Sequence, residues 1–127
     1  MKSLSFSRFP FSGPPGTLAP GVPLIQDPLS FSTVVSLAHG LGSIPILVTA
    51  TAICKIAESG YSPGDTLMLP GSNVAATGGY SIWADSVTLA FAIGPRIDGN
   101  NKTSGASFSL TAANWKIVVI PYRLNLG

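Results

Sequence analysis

Charge is scarce in this chain. Of 127 residues, seven are Lys or Arg and five are Asp or Glu, 9% in all, against about a quarter in an average soluble domain. The basic residues are scattered, so the sequence lays out no patch of the kind that neutralises phosphates, and nucleic acid is not expected as a partner. The single cysteine, Cys54, cannot close an intrachain disulfide. With one histidine, His39, there is no Cys/His set for a structural zinc site. The acids Asp27, Glu58, Asp65, Asp85 and Asp98 lie far apart and form neither a DxD pair nor a calcium loop. Serines are plentiful, but none stands in a GxSxG elbow, and the glycines at 40, 42, 78 and 79 do not precede a helix as a phosphate-binding loop does. These absences remove the usual sources of catalysis, and no enzyme activity, metal or cofactor is expected. No apolar run reaches the ~20 residues that cross a bilayer. Pro10, Pro14 and Pro15 interrupt the N-terminal apolar residues where a signal peptide would need a continuous stretch. The expectation is a protein made in a cytoplasm, with no membrane contact.

What is present favours strands. Ser, Thr, Gly and Pro (16, 9, 14 and 11) fill 50 of the 127 positions, a composition that disfavours helices and supplies strands and turns. Hydrophobic residues make up 46% and mean hydropathy is +0.44, ample for one domain that buries roughly two-thirds of its unfolded surface. Residues 1–30 hold six of the eleven prolines. Fixed φ angles and missing amide donors make an extended N-terminal arm the natural reading. Leu4, Phe6, Phe9 and Phe11 are its large apolar groups, and a segment with no core of its own is expected to dock them on a neighbouring subunit or another protein.

From residue 31 to 127 a period of two takes over, as in a half-buried strand. Phe31, Thr33, Val35 and Leu37 share one side of a first strand, and AHGLGSIP turns the chain. In ILVTATAICKIA, the residues Ile46, Val48, Ala50, Ala52, Cys54 and Ile56 form a wholly apolar face, while Leu47, Thr49, Thr51, Ile53 and Lys55 form a mixed one. TLML is a short strand, PGSNVAATGG a long loop, and YSIWA with VTLAFAIG an antiparallel pair around Asp85 and Ser86. RIDGNNKTSG is the most polar stretch, and its Asp98-Gly99 is a turn signal. ASFSL and WKIVVIPYRL are the last strands, the second apolar enough to be central up to Pro121. About seven strands joined by turns predict an all-β antiparallel β-sandwich, the arm over 1–30 preceding the domain over 31–127.

Structural roles are expected for His39, as the anchor of its glycine-rich corner through a backbone carbonyl, and for Cys54 as a small buried hydrophobe. Asp65 and Asp85 are expected to bond turn amides, and Trp115 to enter the core. A ligand is easiest to imagine as a sugar. Trp83 offers a flat amphipathic ring, and Asp85, Arg96, Asn100 and Asn101 offer polar contacts. Asn101-Lys102-Thr103 has the glycosylation spacing, but nothing signals secretion.

The run HGLGSIPILVTATAICKIAESGYSPGDTLML, followed by YSIWADSVTLAFAIG, NKTSGASFSLTAANWKIVV and PYRL, resembles small tailed-phage virion proteins and fibre-tip domains. Its marks are the His39-Gly40-Leu41-Gly42 corner with Pro45, Gly60-Tyr61 to Gly64-Asp65, Trp83-Ala84-Asp85, and Leu110-Thr111 to Asn114-Trp115-Lys116. The corner is also similar to the opening of H-type-lectin-like β-sandwiches, which generally trimerise, although the sugar-binding residues of those lectins have no clear counterpart here. The resemblance implies a virion located, homotrimeric structural protein made in a bacterial host. A 127-residue chain with an arm and no shaft repeats then reads as a capsid decoration or cement subunit, with the major capsid protein as partner. The other reading is a receptor-binding domain of a tail or head fibre that recognises a host-surface glycan.

Overall fold

The computed structural model describes residues 14–69, 72–75 and 78–125, and for 72–75 and 78 the backbone alone. The protein is an all-β sandwich of antiparallel sheets. Among the described residues the strands are β1 (Leu18–Pro20), β2 (Leu24–Gln26), β3 (Thr33–Ala38), β4 (Leu47–Cys54), β5 (Thr66–Leu69), β6 (Ser72–Ala75), β7 (Gly78–Ala84), β8 (Thr88–Ile93), β9 (Asp98–Asn100), β10 (Ser107–Ser109) and β11 (Trp115–Leu124), with a 3-10 turn at Ala112–Asn114. Sheet I runs β1, β11, β4, β5, with β2 also on β11; sheet II runs β3, β8, β7, β6; β9 and β10 form a separate hairpin.

The seven expected runs are the strands β3, β4, β5, β7, β8, β10 and β11; the other four are three or four residues long. Two of these lie in the segment read as an arm. β1 pairs with Tyr122–Leu124 and β2 with Ile117–Val119, and Ala19, Leu24 and Leu29 are buried. Proline explains why the two are separate strands. The N–H and C=O of one strand residue point to the same side, and Pro121 turns its carbonyl to the Gly21 amide at 2.8 Å. Its missing N–H therefore faces the break between β1 and β2. Gly21 fits this break because a Cβ there would stand 2.5 Å from the His39 carbonyl oxygen.

The core lies between the sheets. Sheet I contributes Leu24, Ala50, Ala52, Cys54, Trp115, Ile117 and Val119, and sheet II contributes Tyr80, Leu89, Phe91 and Ile93. Small groups on β4 face large ones on β7 and β8, the interdigitation that fills a sandwich about 10 Å thick. β11 is central, as its apolar run predicts, but it alternates buried and half-buried from Trp115 to Ile120 instead of being buried on both sides.

Two local expectations are corrected. Residues 70–79 are not all loop, since Ser72–Ala75 pairs with Gly78–Ser81. Asp98-Gly99 is not a turn, because both residues belong to β9, opposite β10. The turn comes later, where the Asn101 side chain accepts the Thr103 and Ser104 amides and Gly105 takes φ +78°. A local side-chain cap with a left-handed glycine outcompetes the Asp-Gly signal. Gly99 serves packing instead: a Cβ there would lie 3.2 Å from Leu67 and 3.3 Å from Phe108.

Candidate interaction surface

Alternation along β11 sends Trp115, Ile117, Val119 and Pro121 inward, so Lys116, Val118, Ile120 and Tyr122 share the outer side. On β4 the same alternation turns Leu47, Thr49, Thr51 and Ile53 outward. Register then aligns outward residues across four strands: Ile25 opposes Val118, Val118 opposes Thr51 and Thr51 opposes Met68. The row ends in two open side chains, Ile25 at 58% and Met68 at 72% exposure. A second row joins Pro20, Tyr122 and Leu47, and Leu18 and Leu124 extend it at the corner. Charge stays at one end, where Lys116 lies beside Trp115 and Lys55 is paired with Asp27. The outer face of sheet I is thus mostly apolar, with threonines and almost no charge. Its signal was present in WKIVVIPYRL, which is apolar on both sides of the strand.

Leu4, Phe6, Phe9 and Phe11 lie outside the described residues. The proposed sugar contacts are not gathered into one site. Trp83 is half-exposed on the outer face of sheet II, opposite Ala90, with Asp85 in the adjoining turn. Arg96 lies at the far end of β7, where its carbonyl accepts the Gly79 amide. The polar groups are also engaged locally. Asp85 Oδ1 accepts the Val87 and Thr88 amides, Arg96 pairs with Asp98 at 3.2 Å, and Asn100 Nδ2 donates to the Gly105 carbonyl. Asn101 caps its own turn as described. The bonds from Thr88 and Val87 hold the exposed Asp85 carboxyl below its usual range.

His39 is fully buried at its corner. Its Nδ1 accepts the Leu41 amide at 3.1 Å, so the ring carries its proton on Nε2, which donates to the Asp85 carbonyl at 2.7 Å. The ring ties the corner to the β7–β8 turn. Cys54 is buried, and its thiol donates to the Ile56 carbonyl at 3.2 Å. Burial, then the negative charges of Asp65 and Glu58, push this thiol up from its usual value, which makes it a poor nucleophile. Asp65 accepts the Ser62 amide and an ion pair from Lys102 at 2.7 Å; the Lys102 bond, then that of Ser62, hold its carboxyl low. Trp115 is fully buried.

Glu58 is the functional-looking residue that motif reading missed. Its carboxylate accepts the Thr111 amide and hydroxyl, Asn114 Nδ2, and Trp115 Nε1 at 2.7 Å. Burial alone would raise its pKa, but these bonds outweigh that and leave it below the usual carboxylate value. The group is a brace: it fastens the loop after β4 to the 3-10 turn before β11. A buried indole N–H needs an acceptor, and that need was the available clue.

Among the described residues, no group of three His, Cys, Asp or Glu is placed to hold a metal ion. No helix of the described residues is long and apolar enough to cross a membrane. An open groove of about 340 Å³ runs along Ser32–Val34, Gly79–Ser81 and Ala92–Gly94. A smaller one of about 200 Å³ between Arg96, Asp98 and Ser107–Ser109 contains the Arg96–Asp98 pair. No protein-family model, curated protein or solved structure matches the chain.

Proposed function

We propose that this chain is a non-enzymatic structural subunit of a bacteriophage particle, a capsid decoration or cement protein that acts as a homotrimer and is anchored through its N-terminal segment. The observation that carries the reading is the apolar outer face of sheet I. A chain with so few charges that leaves Ile25, Leu47 and Met68 open beside Val118 and Tyr122 is built for extensive protein contacts. The titratable groups support the non-enzymatic part, since Glu58, Asp65, Asp85 and His39 are each spent on holding loops. The resemblance to small tailed-phage virion proteins supplies the particle, the bacterial host and the major capsid protein as partner. Many weak contacts of one subunit type reinforce a lattice by avidity.

The half-exposed Trp83 favours a second reading, a glycan-recognising domain of a tail or head fibre. One experiment separates the two: deletion of residues 1–13, which leaves β1 and β2 in sheet I, alongside Trp83→Ala. A decoration subunit loses its attachment to particles on the deletion and keeps it with Trp83→Ala. A fibre domain keeps binding to host cells on the deletion and loses it with Trp83→Ala.

A further inference from the structure

We infer that the N-terminal segment of the free chain lies on its own sandwich, with Phe9 and Phe11 seated on the apolar corner where β1, β11 and β4 end. The way the described chain begins selects the occupant. The Thr17 amide donates to the Pro14 carbonyl at 3.3 Å, the Thr17 hydroxyl donates to the same oxygen at 2.6 Å, and Gly16 takes φ +87°. Pro15 and Gly16 thus fill the two central positions of a turn that suits Pro first and a left-handed Gly second, and such a turn reverses the chain within about 7 Å. The turn is fixed to sheet I, because the Gly16 amide donates to the Asn125 carbonyl at 2.6 Å. It directs the residues before Pro14 back along β1 instead of away from the molecule. The surface on that path is the pair Leu18 and Leu124 beside the row Pro20, Tyr122 and Leu47; Leu18, Leu124 and Leu47 are 45%, 38% and 42% exposed. Reach agrees, since Phe11 is three residues from Pro14, about 10 Å of extended chain, and Leu47 lies two strand spacings, about 10 Å, from β1. Residues two apart share a side of an extended chain, so Phe9 and Phe11 dock together. The open edge of β1 is a poorer seat. Thr17 and Gly21 bond to β11, so alternation turns the backbone of Leu18 and Pro20 to that edge, where Pro20 has no amide to give. The charge beside the corner, Arg123, gives its Nη1 to the Leu41 carbonyl at 3.1 Å. The docked state belongs to the free chain, and the anchoring proposed above takes the same rings off this corner.

The test is the rate at which trypsin cuts the full chain after Arg8, the bond that precedes Phe9, read by mass spectrometry under native conditions. A bond held on the surface is cut only from its undocked population. Leu47→Glu places a charge on the corner at an exposed position, and Met68→Glu, 72% exposed at the far edge of sheet I, is the control. Wild type and Met68→Glu are expected to be cut at one rate and Leu47→Glu at least about 10-fold faster, with the sandwich intact and the far-ultraviolet circular dichroism spectrum unchanged. Docking within one chain also predicts a wild-type rate that stays constant on dilution over about 100-fold. Leu124→Glu repeats the test should Leu47→Glu fail to fold. Equal rates for wild type and the folded corner variants would overturn the inference, and so would faster cutting of Met68→Glu. Protection that fades on dilution would overturn it as well, by seating the segment of a second copy on the corner. Each of these results leaves the particle reading standing, because that reading is tested separately by attachment of the chain lacking residues 1–13.

Discussion

The two sheets of the sandwich bury similar inner faces and turn different outer faces to solvent. Inward, both present aliphatic and aromatic groups that close one core. Outward, sheet II sets Ser36, Ala90 and Trp83 in one row and Val34, Ala92 and Ser81 in another, mostly small side chains with a few large ones. Sheet I sets Ile25, Val118, Thr51 and Met68 in one row and Pro20, Tyr122 and Leu47 in another. Folding demands an apolar inner face from each sheet and makes no such demand on the outer ones. The apolar side chains outside sheet I are therefore not required by the core.

The contrast between inner and outer faces is open to graded tests. The largest effect is expected inside. Phe91→Ala removes a fully buried ring of sheet II and should cost about 3–5 kcal/mol, read from the shift of the denaturant midpoint. Next comes the brace at the end of sheet I. Glu58→Ala leaves the buried Trp115 Nε1 without its acceptor, a loss of about 1–3 kcal/mol in the same measurement. Glu58→Gln should lose less, because it keeps one acceptor oxygen.

Glu58 also predicts a pH dependence. Its carboxyl titrates lower in the folded chain than its ordinary 4.5, so its stabilisation is fully present above that value and is lost as pH falls through the folded one. Asp65 and Asp85, also held low, add to the slope in the same direction. Denaturant midpoints taken from pH 6 down to acid should therefore fall less steeply for Glu58→Gln than for wild type, and equal slopes would remove Glu58 from the account. The smallest effects are expected outside. Val34→Glu, at an exposed position of sheet II, should move stability by no more than about 0.5 kcal/mol, and Trp83→Ala, which removes a half-buried ring opposite the covered Ala90, by about 1 kcal/mol. A much larger loss for Trp83→Ala would mean that the outer side of sheet II is part of the fold's own packing.

Much of the architecture was legible because the strands declare themselves by a period of two. Ala50, Ala52 and Cys54 are buried together on β4, and the Asp85-Ser86 link joins β7 to β8, as the alternation implies. What was not legible depends on partners distant in sequence. β1 and β2 are three residues each, too short for a period to show, and they exist because β11 offers them an edge. Nothing near Glu58 announces that it will accept bonds from residues 111–115, more than fifty positions away. The outer face of sheet I is a product of register, since Ile25, Val118, Thr51 and Met68 come from four separate strands. The polar loop was hard to read for the opposite reason: Asn100 and Asn101 bond within their own turn, a local use that composition does not distinguish from ligand binding.

The most direct test of the central claim is an electron cryo-microscopy reconstruction of the whole particle that carries this chain. The account predicts trimers over the capsid lattice with the N-terminal segment against the shell. Density for the chain only at a tail or fibre end, with Trp83 turned outward, would contradict it.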